Sequence, residues 1–313
     1  MSIKSAFVCL SCLVLAACGG EGSSPPPASG GTPPATPTPT PPPTHSSSIV
    51  PISYEEGFEY ESLFAIAATS TEYSLDGRVH VESRNHGWAD DPVIGFEPSP
   101  EAASWAGPGG SLDFGAAERL TTSPMRIYMG QGERAGYSYS LGHHEGAGAL
   151  RYVSLAWLKQ PATPAPDRGG ETRQTVTAAF GAISDDTRSL TSTLRYDATA
   201  YIGGGTTFTS SRLSARAATV SVAAGSDGVS GTIVLSRVEN GAEREHARLQ
   251  LKGTLSTGTN RISGTIVDAS TGYAGTFEGA LFGPERNEIA LALLFSRDGD
   301  AADYHGFYLA PQN

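Results

Sequence analysis

From about Ile49 onward the chain is predicted to be all-β, either an up-and-down antiparallel barrel or a sandwich. Apolar residues recur with period two, the pattern of a strand buried on one face, and sustained helical spacing is rare. Turn chemistry separates these runs at short intervals: Gly225-Ser-Asp-Gly228, Glu239-Asn240-Gly241, Thr257-Gly258, Ser270-Thr271-Gly272, Gly283-Pro284 and Asp298-Gly299-Asp300. Many short strands without intervening helices pair most simply as antiparallel neighbours.

The elements follow in chain order. Met1 to Leu15 has one positive residue, Lys4, and then an apolar run from Ala6 to Leu15. That run is shorter than the ~20 residues a membrane span needs and reads as a leader, residues 1–17. It ends in Leu15-Ala16-Ala17-Cys18, which resembles the bacterial lipobox. The resemblance implies cleavage after Ala17, a diacylglycerol on the Cys18 thiol and a further acyl chain such as palmitate on its new amine. Two or more chains anchor stably where one binds marginally. Cys9, Cys12 and Cys18 are the three cysteines, so the body has no disulfide, thiolate nucleophile or cysteine-ligated metal. Gly19 stands where enteric lipoproteins retained at the inner membrane carry aspartate, which implies the outer membrane.

Residues 18–48 form a tether. Ten of the 21 prolines fall between Pro25 and Pro43 in a Pro-Thr alternation with no large apolar residue, so packing cannot offset the entropy of ordering it. In polyproline II, at ~3.1 Å per residue, thirty residues reach roughly 90 Å.

In the first half of the body, Tyr54 to Ala68 fits a short helix or a strand. Tyr73 to Arg84, Met125 to Met129 and Gly136 to Leu141 alternate. Gly107-Pro-Gly-Gly110 and Pro161 to Gly170 are breaks, and the second is the expected boundary between 49–165 and 166–313. Four later runs assign clear faces: Val229, Gly231, Ile233 and Leu235; Ile262, Gly264 and Ile266; Tyr273, Gly275, Phe277, Gly279 and Leu281; Ile289, Leu291, Leu293 and Phe295. Glycines on an inward face let strands curve and large neighbours fill a small barrel.

Gly264-Thr265, then Gly272 to Pro284 with its Gly-Thr-Phe-Glu-Gly and Phe-Gly-Pro segments, then Glu288, resemble the terminal hairpin of the transferrin-binding-protein-like barrel. Phe180-Gly181, Leu194-Arg195-Tyr196 and Val229-Ser230-Gly231-Thr232-Ile233 fit its earlier strands. Leu150-Arg151-Tyr152-Val153-Ser154 with Trp157 resembles the segment that closes its handle domain. One departure is Glu288-Ile289-Ala290, where the family has a paired glycine. The resemblance implies an all-β chain with an N-terminal antiparallel handle, 49–165, followed by a C-terminal eight-stranded antiparallel β-barrel, 166–313.

Charge and side-chain chemistry narrow the function. The net charge is −11 and only three of 21 basic residues are lysines, so neither nucleic acid nor anionic lipid finds a basic footprint. Gly136-Tyr-Ser-Tyr-Ser140 lacks the second glycine of a nucleophile elbow, and Lys159 lies five residues from Ser154, not three. No enzyme is expected. His45, His80, His86, His246 and His305 are scattered; His143-His144-Glu145 lacks a zinc-protease continuation, and Asp298 to Asp303 lacks the remaining ligands of a calcium loop. No resident metal is expected.

Tyr137, Tyr139, His143 and His144 are the candidate binding cluster, since Tyr and His ligate haem iron and aromatics favour protein contact. The alternative is a half-buried handle strand with its loop. The expectation is an outer-membrane, lipid-anchored protein facing the cell exterior that binds haem, an iron-carrying protein or another solute for nutrient uptake, without chemistry. No cofactor is required, and haem is the one candidate. The resemblance further implies a surface-lipoprotein translocator and an outer-membrane receptor as partners. The alternative is an assembly lipoprotein that holds a membrane protein without a small-molecule ligand.

Overall fold

The computed structural model describes residues 49–60, 68–75, 78–85, 87, 94–120, 125–142, 150–165, 170–204, 213–299 and 303–313. The leader, Cys18, the tether, His143 and His144 lie outside them. Every described strand pair is antiparallel, and no described helix is long and apolar enough to cross a membrane.

The handle comprises β1 (Phe58–Tyr60), β2 (Ala68–Leu75), β3 (Arg78–Asn85), β4 (Ile94–Pro98), β5 (Glu101–Gly107), β6 (Gly110–Gly115), β7 (Arg126–Met129), β8 (Ser138–Gly142), β9 (Val153–Lys159), the short β10 (Thr163–Pro164) and β11 (Glu171–Gly181). Two sheets form, one in the order β1-β4-β5-β6 and a larger one in the order β3-β2-β11-β9-β8-β7, with β10 beside β11. Alternation explains how they pack. Phe96, Trp105 and Phe114 of the small sheet meet Tyr128, Tyr139, Leu158 and Phe180 of the large one in a common core. The residues between them on β9 and β11, Val153, Leu155 and Ala179, face the barrel instead. β9 and the second half of β11 are thus buried on both sides.

The barrel comprises β12 (Leu194–Ala198), β13 (Tyr201–Gly204), β14 (Leu213–Val222), β15 (Gly228–Glu239), β16 (Ala242–Ser256), β17 (Arg261–Asp268), β18 (Tyr273–Phe282), β19 (Glu288–Arg297) and β20 (Tyr304–Pro311). Its order is β12-β14-β15-β16-β17-β18-β19-β20-β13. The end members, β12 and β13, are two halves of one strand separated by Thr199 and Ala200. The first half pairs with β14 (Leu194↔Val222) and the second with β20 (Tyr201↔Phe307). A bridge from Tyr196 to Gln312 joins the same two sides. Eight staves therefore close, as expected.

All four inward faces read from the alternation are inward: Ile233 and Leu235, Ile262 and Ile266, Phe277 and Leu281, and Leu291 and Phe295 lie in one buried core. Gly253, Gly264 and Phe277 sit opposite one another on adjacent strands. A Cβ on Gly264 would stand 2.5 Å from Phe277 Cζ, so the glycines provide the space the ring occupies. Between β15 and β16, Asn240 (φ 51°) and Gly241 (φ 79°) make the two-residue turn their side chains permit.

Two expectations are corrected. The change of sheet falls after Gly181, not within Pro161 to Gly170, because β11 pairs with β2 and β9 of the handle. Proline and glycine there mark a hairpin, and hairpin breaks look like domain linkers in sequence. Tyr73 to Arg84, read as one alternating run, is the β2–β3 hairpin, in which Leu75 pairs with Arg78.

Candidate binding surfaces

The predicted cluster divides. Tyr139 is fully buried, and its ring packs on Phe114 (centroids 5.3 Å apart), Trp105 (6.0 Å) and Tyr128 (6.3 Å). Its hydroxyl donates to the Ser104 carbonyl at 3.0 Å, and burial pushes its pKa well above the ordinary tyrosine value. A side chain so enclosed is not available to an external ligand, which corrects its reading as a binding residue. Tyr137 is half-buried against the same core. The serines at 138 and 140 alternate with these tyrosines, and period two is the signal in the sequence that could have placed Tyr139 in the core. Among the described residues no group of three His, Cys, Asp or Glu is placed to hold a metal ion.

The seam between handle and barrel carries two residues of different chemistry. Glu288, buried on the outer side of β19, accepts the backbone N–H groups of Arg151 (2.6 Å), Tyr152 (2.9 Å) and Val153 (3.0 Å). Burial raises its pKa, and the three amides oppose that rise. The motif glutamate thus fastens the start of β9 to the barrel. His305, also buried, shares a 2.7 Å hydrogen bond between its Nδ1 and the Ser83 hydroxyl of β3; burial lowers its pKa to about 4.

One end of the barrel is sealed by a polar knot. Arg286 Nε donates to Asn260 Oδ1 (2.8 Å), its Nη2 to the Asp186 (2.5 Å) and Arg188 (2.8 Å) carbonyls, and Asn260 Nδ2 to the Ser184 and Asp186 carbonyls, 2.8 Å each. Hydrogen bonds from Arg188 hold the Asp186 carboxyl down at about 2. Every partner here belongs to the barrel end itself, which makes the knot a closure.

The outer face of the small handle sheet is a different kind of surface. Phe58, Phe96, Ala103 and Phe114 point inward, so Glu59, Gly95, Ser104 and Asp113 face away from the core, directly opposite one another in a row across β1, β4, β5 and β6. Glu97 and Ala102 form the neighbouring row. With only small side chains on the central strands, these rows outline a shallow trough of about 250 Å³. A Cβ on Gly95 would come within 2.5 Å of Ser104 Oγ, so the glycine keeps the middle of the trough open. A second depression, about 280 Å³, lies on the barrel wall among Thr254, Ser256, Arg261, Ser263 and Glu278.

No protein-family model and no curated protein matches the chain. Among solved structures it is similar to transferrin-binding protein B from Haemophilus parasuis (Trp-176-Ala mutant; TM-score 0.42, 10% identity) and from serogroup B Neisseria meningitidis (0.41, 11%). Each match covers 79% of this chain and 44% of the other, so the chain spans less than half of those proteins. The N-lobe of lactoferrin-binding protein B from Moraxella bovis (TM-score 0.39, 10% identity) is matched over 79% of this chain and 99% of its own length.

Proposed function

We propose that this chain is an outer-membrane lipoprotein, anchored through Cys18 and facing the exterior, that binds a protein ligand on its outer surface for nutrient uptake, without chemistry. The observation that carries the reading is the filled barrel. Tyr196, Ile233, Phe277, Leu291, Phe295 and Tyr308 occupy its interior, so the barrel is a rigid packed body and no container. The two surface depressions described above are shallow and fall below the ~300–1,000 Å³ typical of small-molecule sites. Binding at an exterior face, carried outward by the tether, is the use these features suit. A translocator and a membrane receptor are the partners that delivery to the surface and uptake would require.

Proteolysis of intact cells tests the topology: the body is expected to be degraded without lysis, and protection until lysis would overturn the reading. Haem titration of the purified chain tests the ligand class. No saturable Soret shift is expected, whereas a one-to-one shift lost in the H143A/H144A variant would transfer the assignment to haem.

A further inference from the structure

Polar side chains occupy inward positions of the handle where the alternation calls for apolar ones. Arg126 lies on β7 two residues before the buried Tyr128, and Ser154 on β9 two residues before the buried Ala156, so both share the faces that build the handle core. Tyr54 packs against the same core from the segment ahead of β1, which the Ile52 N–H fastens to the Arg151 carbonyl at 2.7 Å. The Arg126 guanidinium lies over the rings of Tyr54 (4.1 Å to the centroid) and Phe96 (4.8 Å).

Tyr54 Oη, Ser154 Oγ and Arg126 Nε are buried without a hydrogen-bond partner, three of the five such side-chain atoms among the described residues. Burial raises the Tyr54 pKa, and Ser154 and Arg126 stand near enough to oppose that rise, so the three unpaired groups converge on one place. No carboxylate answers the cation. The Arg126 side chain forms no ion pair with any described residue. Glu101, which with Arg126 acts on the Tyr128 hydroxyl, is held by Arg119 (2.6 Å) and by that hydroxyl (2.9 Å). Burying these groups unpaired has a free-energy cost that the ring contacts offset only in part.

We infer that Arg126, Tyr54 and Ser154 form a receptor for a carboxylate anion, with the guanidinium and the two hydroxyls donating to its oxygens. A guanidinium can only donate, and each hydroxyl is free to turn its proton toward an acceptor. One cation with two neutral donors matches a single negative charge, whereas a phosphate dianion would stay half neutralised. Stacking on Tyr54 and Phe96 holds the guanidinium plane, which sets the N–H directions before an anion arrives. Ser154 is fully buried and Arg126 only half-buried, so the group that reaches the serine is small: a free short-chain acid or the tip of an Asp or Glu side chain. This site goes beyond the exterior protein-binding reading and does not depend on it.

Thermal denaturation of the full chain in detergent, with sodium acetate exchanged for sodium chloride at constant ionic strength, tests the site. Acetate should raise the midpoint saturably, because a ligand bound only by the folded chain stabilises it. Arg126→Gln should raise the half-saturating acetate concentration at least about tenfold, and Tyr54→Phe and Ser154→Ala about fivefold each. Losing an unpaired hydroxyl should leave the acetate-free midpoint unchanged or higher, so these two variants decide the matter even where Arg126→Gln fails to fold. A short end-blocked peptide with one central glutamate separates the sources: a response to acetate alone assigns a free acid, and an equal response to the peptide assigns an acidic side chain. Acetate indistinguishable from chloride, an undiminished acetate response in Tyr54→Phe and Ser154→Ala, or a lowered acetate-free midpoint in both would each overturn the inference.

Discussion

Phe277 shows how much a single side chain dictates to its neighbours. Its ring fills the space that side chains on Gly253 and Gly264 would take, so Gly264→Ala forces the ring or the strand to shift. The expected cost is about 1–3 kcal/mol, read as a lowered midpoint in thermal denaturation. The faces of Gly264 and Phe277 were legible from period two, but the register that sets them side by side was not, because pairing is chosen across strands. Tyr139 shows the opposite error: an aromatic next to histidines suggested a ligand site, whereas its alternation with serines marked it as core. His305 gives a pH prediction. With its pKa lowered from 6.5 to about 4 in the folded chain, the unfolded chain takes up a proton first. Its contribution is therefore complete above about pH 6.5 and is lost as pH falls toward 4, at most about 3 kcal/mol. Denaturant titrations from pH 7 to 4 should show this slope, and His305→Gln should flatten it.

At the scale of elements, β15, β17, β18 and β19 were readable because apolar and small residues alternate cleanly along them. The fifteen-residue β16 also alternates, with Ala247, Leu249, Leu251 and Leu255 inward, but Arg244, Glu245 and Arg248 break up its apolar signal. The handle was harder still. Its β9 and the second half of β11, Val176 to Gly181, are buried on both faces and lose the polar phase of the alternation, so the Pro161 to Gly170 break was the stronger signal there. Glu288 joins the two bodies. Glu288→Ala leaves three amides of the β9 entry, those of Arg151 and Tyr152 part-buried and that of Val153 buried, without an acceptor and should cost on the order of 3 kcal/mol. Glu288→Gln keeps one acceptor oxygen and should recover part of that loss. Both are measured by urea unfolding.

For the whole molecule, anchoring and folding are separable properties. Cys18→Ser should release the chain from membranes into the soluble fraction while the circular dichroism of the body stays that of the parent; unchanged fractionation would count against acylation. The leader and tether were legible because they depend on local composition, and the ligand was not because an exterior face binds through side chains drawn from several distant strands. The split stave has a kinetic consequence. The β12–β13 stave is completed only when Tyr201 meets Phe307, roughly a hundred residues away, and Phe307 and Leu309 of that same β20 also pack against the handle. Shutting the ring and seating the handle thus share one late, entropically costly encounter, so half-assembled forms gain little of either and the body should unfold in a single cooperative step.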